Sequence, residues 1–354
     1  MAKPFLKWAG GKGQLIEQIE LRLQSLKITE CTTYIEPFLG GGAVLFHILE
    51  NYNFENFFVF DINPELIMSY QVVKHKSSEL INALRPFQVR YSKSDEKTRK
   101  KMFYKIREDW NKQILRIDNE AIANWWDYSL SVEDGWELYK IECASYPKNN
   151  RNLDWFREKF ALDLRFNGTS KRWVNRDKFC IKRVSQMIFL NRTCFNGLYR
   201  VNSLGRFNVP KGKYKNPKIL DKENLISVSK SLQKVSISCN SFENSLKNSS
   251  ASSFTYIDPP YRPVGNTSDF TSYSKEGFGD KQQLLLAELC RGVMGKGGRI
   301  LLSNSYNDDD YYSTQFPHCK IDLVLAKRNI NSDPKGRKPV YEVMIYNDPN
   351  DFIS

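Results

Sequence analysis

The chain has 354 residues, and its 53 Lys and Arg outnumber 40 Asp and Glu to give a formal net charge of +13. This excess of positive charge favours a polyanionic partner such as nucleic acid. Seven scattered cysteines without a CxxC pair, together with three histidines, argue against a zinc site and against a disulfide framework. Neither a membrane-length apolar run nor a signal-peptide core is found, so we expect a protein of the reducing cytoplasm that does not enter a membrane.

The first motif along the chain is Lys7-Trp8-Ala9-Gly10-Gly11-Lys12. It lacks the GxxxxGK[ST] spacing of a phosphate loop, because Gln14 follows Lys12-Gly13. Two interpretations stay open. The segment is either a flexible leader or a lid, in which Trp8 covers an apolar ligand while Lys12 meets the carboxylate of that ligand.

Residues 34–61 predict the start of a βαβ unit. A strand ending at residues 34–38 leads into a glycine-rich turn at 39–42 and then into a helix. A second apolar strand, residues 57–60, ends in Asp61, where a carboxylate can bind two vicinal ribose hydroxyls. The glycines do not form the GxGxxG that a pyrophosphate needs, so the pattern favours a nucleoside cofactor without phosphates, such as S-adenosylmethionine. A generic α/β turn is the alternative.

Residues 118–142 differ in charge from the rest of the chain, with seven acidic residues and one basic residue, Lys140. DNA would repel such a surface. Trp125, Trp126 and Trp136 give the same stretch an apolar side. Packing within a helical subdomain is the favoured interpretation, and contact with a protein partner is the alternative.

Residues 171–215 concentrate the positive charge, with twelve Lys or Arg and one acidic residue, Asp177. Aromatic and amide side chains lie between the cations, which suits an element that contacts both phosphates and bases. Residues 201–207 predict a β-hairpin around a glycine-containing turn. A hairpin of this kind can enter the major groove of DNA.

The tetrapeptide Asp258-Pro259-Pro260-Tyr261 directly follows an apolar run, residues 254–257, that is typical of the end of a buried strand. A carboxylate, two rigid prolines and an aromatic ring can hold a planar exocyclic amino group by its hydrogens and stack on the ring that carries it. The motif therefore favours methylation of a nucleobase amine, in the first place the N6 of adenine. The same four letters also occur as an ordinary strand-to-turn exit.

Two further strands are predicted at residues 299–304 and 341–346. Between them lie Lys327-Arg328 and a basic loop at residues 332–338. This loop can clamp backbone phosphates, and a solvent-exposed turn is an equal alternative.

Six segments in this order resemble the DNA adenine-N6 methyltransferases of the Dam type (D12 class, alpha group). They are FLKWAGGK at 5–12, EPFLGGG at 36–42, DIN at 61–63, CFNGLYR at 194–200, GRFNVP at 205–210 and DPPY at 258–261. The resemblance implies an α/β fold: a Rossmann-like S-adenosylmethionine-dependent methyltransferase domain with a mostly helical target-recognition domain that carries a β-hairpin. The catalytic domain would be discontinuous, at residues 1–85 and 217–354. Residues 86–216 would form the target-recognition domain, with the hairpin at about 195–210. The chain departs from the family at about 90–170, where a helical insertion lengthens the stretch between DIN and FNG.

The resemblance also assigns roles to single residues. The implied catalytic residues are Asp258, Pro259, Pro260 and Tyr261. The implied ligands of S-adenosylmethionine are Trp8, Lys12, Glu36, Pro37, Phe38, Gly40, Asp61 and Asp258. The implied DNA contacts are Phe195, Asn196, Leu198, Arg200 and Pro210. Among these, Phe195 would wedge beside the extruded adenine and Arg200 would read a guanine. Apart from the resemblance, the basic segments themselves favour Lys211, Lys213, Lys335 and Arg337 as phosphate contacts.

The implied reaction is transfer of a methyl group to adenine N6 in double-stranded DNA by base flipping, at GATC, by a monomer that needs no metal. The insertion leaves another GAT-containing site open as the target. Action on RNA or on a protein glutamine is a rival, against which Asp258 counts because the glutamine enzymes usually carry Asn there. A catalytically silent DNA-binding module is another rival. We expect association with the nucleoid through DNA, and a cognate restriction endonuclease as partner is left open.

Overall fold

The computed structural model describes residues 2–112, 171–262, 278–306, 310–326 and 340–348. Within these residues the fold is built on a seven-stranded sheet of order β3-β2-β1-β4-β5-β7-β6. The strands are β1 (Thr33–Glu36), β2 (Asn56–Asp61), β3 (Val235–Cys239), β4 (Ser253–Ile257), β5 (Arg299–Ser305), β6 (Cys319–Ala326) and β7 (Val340–Asn347). β7 runs antiparallel to both of its neighbours, and the pairings among β1 to β5 are parallel.

Helices cover both faces of the sheet, as the predicted α/β fold requires. They are α1 (Ile16–Ser25), α2 (Ala43–Asn51), α3 (Pro64–Lys93), α4 (Glu96–Lys112), α5 (Lys171–Thr193), α6 (Lys222–Ser231), α7 (Phe242–Ser245), α8 (Asp280–Gly295) and α9 (Tyr311–Gln315). In the described part of the chain no helix is long and apolar enough to cross a membrane.

The central strands bury both of their faces. β4 is buried at every position, as expected of a central parallel strand covered on two sides. Alternate residues of β5 point to different cores because of the pleat: Leu301 packs in one core, whereas Ile300 and Leu302 pack in the other. The apolar runs that predicted β4 and β5 are therefore explained by a sheet that is packed from both sides.

The long helix α3 begins at Pro64, three residues after Asp61, the predicted ribose-binding residue. Asn63 caps the helix by accepting hydrogen bonds from the amides of Glu65 and Leu66, and Pro64 occupies the first turn. The helix bends at Lys76, whose backbone is not helical, and it continues through Pro86. The predicted domain boundary at residue 85 thus falls inside a helix, and the division into two domains stays a prediction.

The hairpin predicted at residues 201–207 is confirmed. Val201 and Phe207 form an antiparallel bridge, and the amide of Asn202 donates to the carbonyl of Arg206 at 2.9 Å. Gly205 closes the turn with a φ of +72°, a conformation that favours glycine. The acidic segment 118–142, most of the predicted insertion and the basic loop 332–338 lie outside the described residues.

Candidate active site at the carboxyl edge of the sheet

Three acidic residues meet where neighbouring parallel strands end. Glu36 ends β1 and Asp61 ends β2, while Asp258 follows β4. The strand order reverses between β1 and β4, and open α/β sheets bind their ligands beyond the carboxyl ends of the strands at such a switch point. The topology therefore brings the predicted cofactor turn and the predicted catalytic tetrapeptide to one crevice.

Asp61 is fixed by the backbone around it. Its carboxylate accepts hydrogen bonds from the amide of Gly40 at 3.0 Å and from the amide of Asn63 at 2.9 Å. Burial raises the pKa of Asp61 to about 6, although both backbone bonds favour the charged form. The turn itself needs glycine, because a Cβ on Gly42 would lie 2.5 Å from the Tyr70 hydroxyl.

Trp8 packs on the glycine-rich turn and does not belong to a flexible leader. A Cβ on Gly40 or Gly41 would lie 3.3 Å from the Trp8 side chain. On its other side the indole stacks on the ring of Tyr199, with ring centroids 4.9 Å apart. Trp8 thus connects the predicted cofactor turn to the predicted recognition segment, and its role as a lid over a ligand stays a prediction.

Lys12 lies at the tetrapeptide. Its side chain is 4% exposed, and its ammonium lies 2.7 Å from Oδ1 of Asp258. The same ammonium donates to the hydroxyl of Tyr261 at 2.6 Å and to the carbonyl of Gly10 at 3.2 Å. The sequence predicted that Lys12 would meet the carboxylate of the cofactor; this ligand role stays a prediction, and the contacts of Lys12 link it to the catalytic residues.

Asp258 is held through one of its two oxygens. Ser303 donates to Oδ1 at 3.1 Å, and Lys12 contacts the same atom. Among the described residues both donors to Asp258 use Oδ1, which leaves Oδ2 for an incoming group. Burial raises the pKa of Asp258, and the Lys12 ammonium opposes this shift. Burial and the charge of Asp258 raise the pKa of Tyr261 far above its usual range, so its phenol stays neutral.

Side chains of α8 and β5 form hydrogen bonds with the backbone at the end of the tetrapeptide. Gln283 donates to the Pro260 carbonyl at 3.0 Å, and the side chain of Asn304 accepts from the Arg262 amide at 3.1 Å. Asn304 also donates to Gln283 at 3.2 Å, so the two supporting side chains brace each other. A support of this kind fixes the backbone around Asp258, as the predicted catalytic role of that residue would require.

Glu36 lies buried in the crevice, where its surroundings favour the protonated form. Its carboxyl is buried and accepts a hydrogen bond from the Tyr34 hydroxyl at 2.8 Å. Burial, with the charges of Asp258 and Asp61, raises the pKa of Glu36 well above its usual range. A protonated carboxyl can donate a hydrogen bond to a ligand, which fits the predicted role of Glu36 in cofactor binding.

Apolar side chains that sequence reasoning missed lie beside Asp61. Ile62 is 63% exposed although it directly follows that carboxylate. Phe242 follows β3, whose Cys239 pairs with Asp61, and its ring stacks on the predicted ligand Phe38 with centroids 5.6 Å apart. These surfaces suit a flat purine next to a ribose. The apolar residue after Asp61 was visible in the sequence, whereas Phe242 belongs to no motif.

Most of the predicted DNA-reading residues share one exposed surface. Phe195 is 47% exposed, and its amide donates to the carbonyl of Pro210 at 2.8 Å. Asn196 is exposed in a left-handed conformation with a φ of +55°. Arg200 is exposed, and its Nε donates to Asn208 at 2.9 Å. Leu198 is half-buried and packs against the first core.

The predicted phosphate contacts differ in their surroundings. The ammonium of Lys211 is paired with Glu96 at 2.7 Å, and the side chain of Lys211 is only 6% exposed. Lys213 is exposed. Lys335 and Arg337 lie outside the described residues. Contact of these residues with DNA stays a prediction.

Asn191 connects the N-terminal motif to the recognition segment, a role that sequence reasoning missed. Its buried side chain accepts from the Lys7 amide at 2.9 Å and donates to the Lys7 carbonyl at 2.9 Å. It also donates to the carbonyl of Gly197 at 2.8 Å. No local pattern marks this role, because the partner segment is 184 residues away in the chain.

Comparison with known proteins identifies the family of the chain. Residues 8–330 match the family of D12 class N6 adenine-specific DNA methyltransferases. The chain is 40% identical over 347 residues to the Type II methyltransferase M.MjaIII of Methanocaldococcus jannaschii, with 98% of this chain and 99% of that protein covered. It is 30% identical to the Type II methyltransferase M1.LlaDCHI of Lactococcus lactis subsp. cremoris, with coverages of 98% and 95%. It is 28% identical to the DNA adenine methylase of Escherichia coli K12, with coverages of 97% and 94%. The chain therefore belongs to the D12 class of N6 adenine-specific DNA methyltransferases.

Proposed function

We propose that this protein transfers a methyl group from S-adenosylmethionine to adenine N6 within GATC in double-stranded DNA, after the adenine has flipped out of the helix. The observation that carries the proposal is the crevice between β1 and β4. There Asp258, held by Lys12 and Ser303 through one oxygen, lies at the same sheet edge as the Asp61–Gly40 pair. Such a crevice can hold a target amine and a nucleoside-bound methyl donor side by side.

The residues of the tetrapeptide would raise the reactivity of a poor nucleophile. The N6 lone pair of adenine is delocalised into the ring. Oδ2 of Asp258 and the carbonyl of Pro259 would each accept a hydrogen bond from one N6 hydrogen, which favours a pyramidal nitrogen with its lone pair directed at the methyl group. N6 would bond to the methyl carbon while the bond from that carbon to sulfur breaks, and the methylated N6 would then release one proton to solvent. S-adenosylmethionine supplies an electrophilic methyl group on a sulfonium that becomes a neutral thioether. The protein contributes orientation and fixed dipoles, and Tyr261 would stack on the flipped base.

The cofactor would lie along the ends of β1 and β2. Asp61, with its oxygens fixed by backbone amides, would accept the two ribose hydroxyls. Ile62 and Phe242 would flank the purine ring. Trp8, Lys12, Glu36, Pro37, Phe38, Gly40 and Asp258 complete the proposed set of ligands.

Arg200 supports the choice of a guanine-containing target. Asn208 accepts from its Nε, which holds the guanidinium plane and leaves the terminal nitrogens for O6 and N7 of a guanine. Phe195, exposed one residue from Asn196, would fill the space left by the flipped adenine. Another GAT-containing site is the second candidate, because residues 113–170 precede α5, which leads into this surface, and could add contacts to flanking bases.

Methyl incorporation into short duplexes tests the proposal. Duplexes with GATC are compared with duplexes in which one base pair of the site is changed. For Arg200→Ala we expect discrimination at one G·C pair to fall by about 1–3 kcal/mol, whereas Arg206→Ala on the hairpin should leave discrimination unchanged. Equal loss of methylation on all duplexes in Arg200→Ala would refute the assigned reading role.

The proposal extends to the partners of the protein. Two relatives carry the name Type II methyltransferase, and on that name we propose a cognate restriction endonuclease as functional partner. We propose that the enzyme acts on DNA as a monomer and associates with the nucleoid through its substrate.

A further inference from the structure

Glu342 is the one charged residue of β7, whose sequence is VYEVMIYN. The other residues of this strand are apolar or uncharged. β7 pairs with β5 so that Glu342 lies opposite Ser305. On β5, Ser303 lies two residues before Ser305 and donates to Asp258. The antiparallel insertion of β7 next to β5 thus brings a second carboxylate to the catalytic tetrapeptide.

The contacts of Glu342 are with the catalytic group. Its Oε2 lies 3.7 Å from the Lys12 ammonium, which lies 2.7 Å from Asp258 on its other side. Burial, the charge of Asp258 and the nearby Glu342 carboxylate together raise the pKa of the Tyr261 phenol, so Glu342 acts electrostatically on that group of the tetrapeptide as well. Oε2 is buried and has no hydrogen-bond partner within the described ranges, so the nearby ammonium is the group that balances its charge.

This geometry places one ammonium between two carboxylates. Without Glu342, the Lys12 ammonium would be attracted by Asp258 alone. It would then be able to shift from Oδ1 toward Oδ2, the oxygen that is to accept the N6 hydrogen. We propose that Glu342 is a positioning residue for methyl transfer, whose carboxylate shares the Lys12 ammonium with Asp258 so that Asp258 keeps one oxygen for the target amine. The inference rests on the proposed function of Asp258.

The pH dependence of turnover separates this role from a structural one. Charged and titratable groups face Asp258 from every neighbouring element: Lys12 and Tyr261 beside it, Glu36 on β1, Tyr256 on β4 and Glu342 on β7. Burial raises the pKa of Asp258, Lys12 lowers it and Glu342 raises it. Asp258 acts as a carboxylate, so activity is lost as the pH falls through its pKa. Removing the charge of Glu342 lowers that pKa, and the acid limb of the rate profile moves to lower pH.

The test compares Glu342→Gln, Glu342→Asp and the control Glu288→Gln on the exposed side of α8. Steady-state methyl transfer to a GATC duplex is measured as a function of pH. For Glu342→Gln we expect kcat to fall by about 10- to 100-fold with KM values for DNA and S-adenosylmethionine unchanged, and the acid limb to shift to lower pH. Glu342→Asp keeps the charge, so its acid limb should lie at the same pH as in the wild type. Its kcat should fall less than that of Glu342→Gln. Glu288→Gln should match the wild type.

Two outcomes would overturn the inference. One is a Glu342→Gln enzyme with wild-type kcat and an unmoved acid limb. The other is a Glu342→Asp enzyme in which the acid limb of the pH–rate profile shifts although the charge is kept. This second result overturns the inference even when Glu342→Gln does not fold. A wild-type protein that transfers no methyl group to DNA would overturn the proposed function as well, so the two failures are distinguishable.

Discussion

The proposed ribose contact needs Asp61 as a charged carboxylate, whereas burial of this residue opposes the charge. The amides of Gly40 and Asn63 stabilise the carboxylate, whereas burial raises its pKa from an ordinary 3.8 to about 6. Above pH 6 the group is charged and can accept two ribose hydroxyls. Below pH 6 it carries a proton in the free enzyme and is a poorer acceptor.

Affinity for S-adenosylmethionine should therefore decrease as the pH falls through about 6, by up to about tenfold per pH unit. Calorimetric titration between pH 5 and pH 8 measures this dependence. Asp61→Asn should bind weakly at all these pH values and without the slope. An affinity of the wild type that does not change over this range would contradict the assigned role of Asp61.

Asp258 should dominate catalysis and contribute little to DNA affinity. Its replacement removes the acceptor of an N6 hydrogen, so Asp258→Ala should lower kcat by at least about 10²–10³-fold. Binding of the variant to a GATC duplex, measured by fluorescence anisotropy, should remain near that of the wild type. Near-normal methyl transfer by Asp258→Ala would disprove the assignment.

At the scale of elements, a buried ion pair joins the cofactor side to the recognition side. Glu65 lies in the first turn of α3, just after the Asp61 motif, and accepts from the guanidinium of Arg183 on α5 at 2.8 Å. The guanidinium lies 4.2 Å from the ring centroid of Trp110 on α4. Trp110 in turn meets Phe207 of the hairpin edge to face. These contacts connect the helix that follows β2 with the hairpin.

Breaking this pair should destabilise the whole protein. Glu65→Gln or Arg183→Met leaves one charge buried without its opposite charge, so each should lower the free energy of unfolding by about 3–5 kcal/mol. Urea unfolding measures the change. Glu108→Gln removes the exposed pair between Glu108 and Lys112 and should change nothing measurable.

The double variant Glu65→Gln/Arg183→Met checks the reason for this loss. It leaves no uncompensated charge, so it should lose less stability than the sum of the single changes. Additive losses would contradict the account of Glu65 and Arg183 as a coupled pair.

Elements with a strong local signal could be predicted from the sequence, and contacts between distant segments could not. The apolar runs before Asp61 and Asp258 are β2 and β4, and the glycine-containing turn at Gly205 is the hairpin. Lys12 and Tyr261, by contrast, are 249 residues apart in the chain. Their contact depends on the strand order, which the hydrophobic pattern does not encode. For the same reason Glu342 resembled an ordinary polar residue of a strand.

At the scale of the whole molecule, the net charge of +13 is concentrated near the predicted DNA surface. Two neighbouring lysines of this surface differ in exposure and in ion pairing. Lys213 is exposed, whereas Lys211 is paired with Glu96. A lysine that is paired with a carboxylate must break this ion pair before it can bind a phosphate. Its binding to DNA therefore causes a smaller net release of counterions.

The salt dependence of DNA affinity should distinguish these two lysines. Lys213→Ala should flatten the slope of log affinity against log salt concentration by about 0.9, the value for one phosphate contact. Lys211→Ala should change the slope less, because the intact Lys211 is partly neutralised by Glu96. Anisotropy titrations at several salt concentrations give both slopes. An unchanged slope in Lys213→Ala would rule out its phosphate contact.

The central claim concerns the base and the site that receive the methyl group. The most direct test is to incubate unmethylated plasmid DNA with the purified protein and S-adenosylmethionine, and then to map modified bases by single-molecule sequencing. We predict N6-methyladenine at GATC sites and its absence with Asp258→Ala. Methylation confined to cytosine, or N6-methyladenine at sites that exclude GATC, would contradict the proposal.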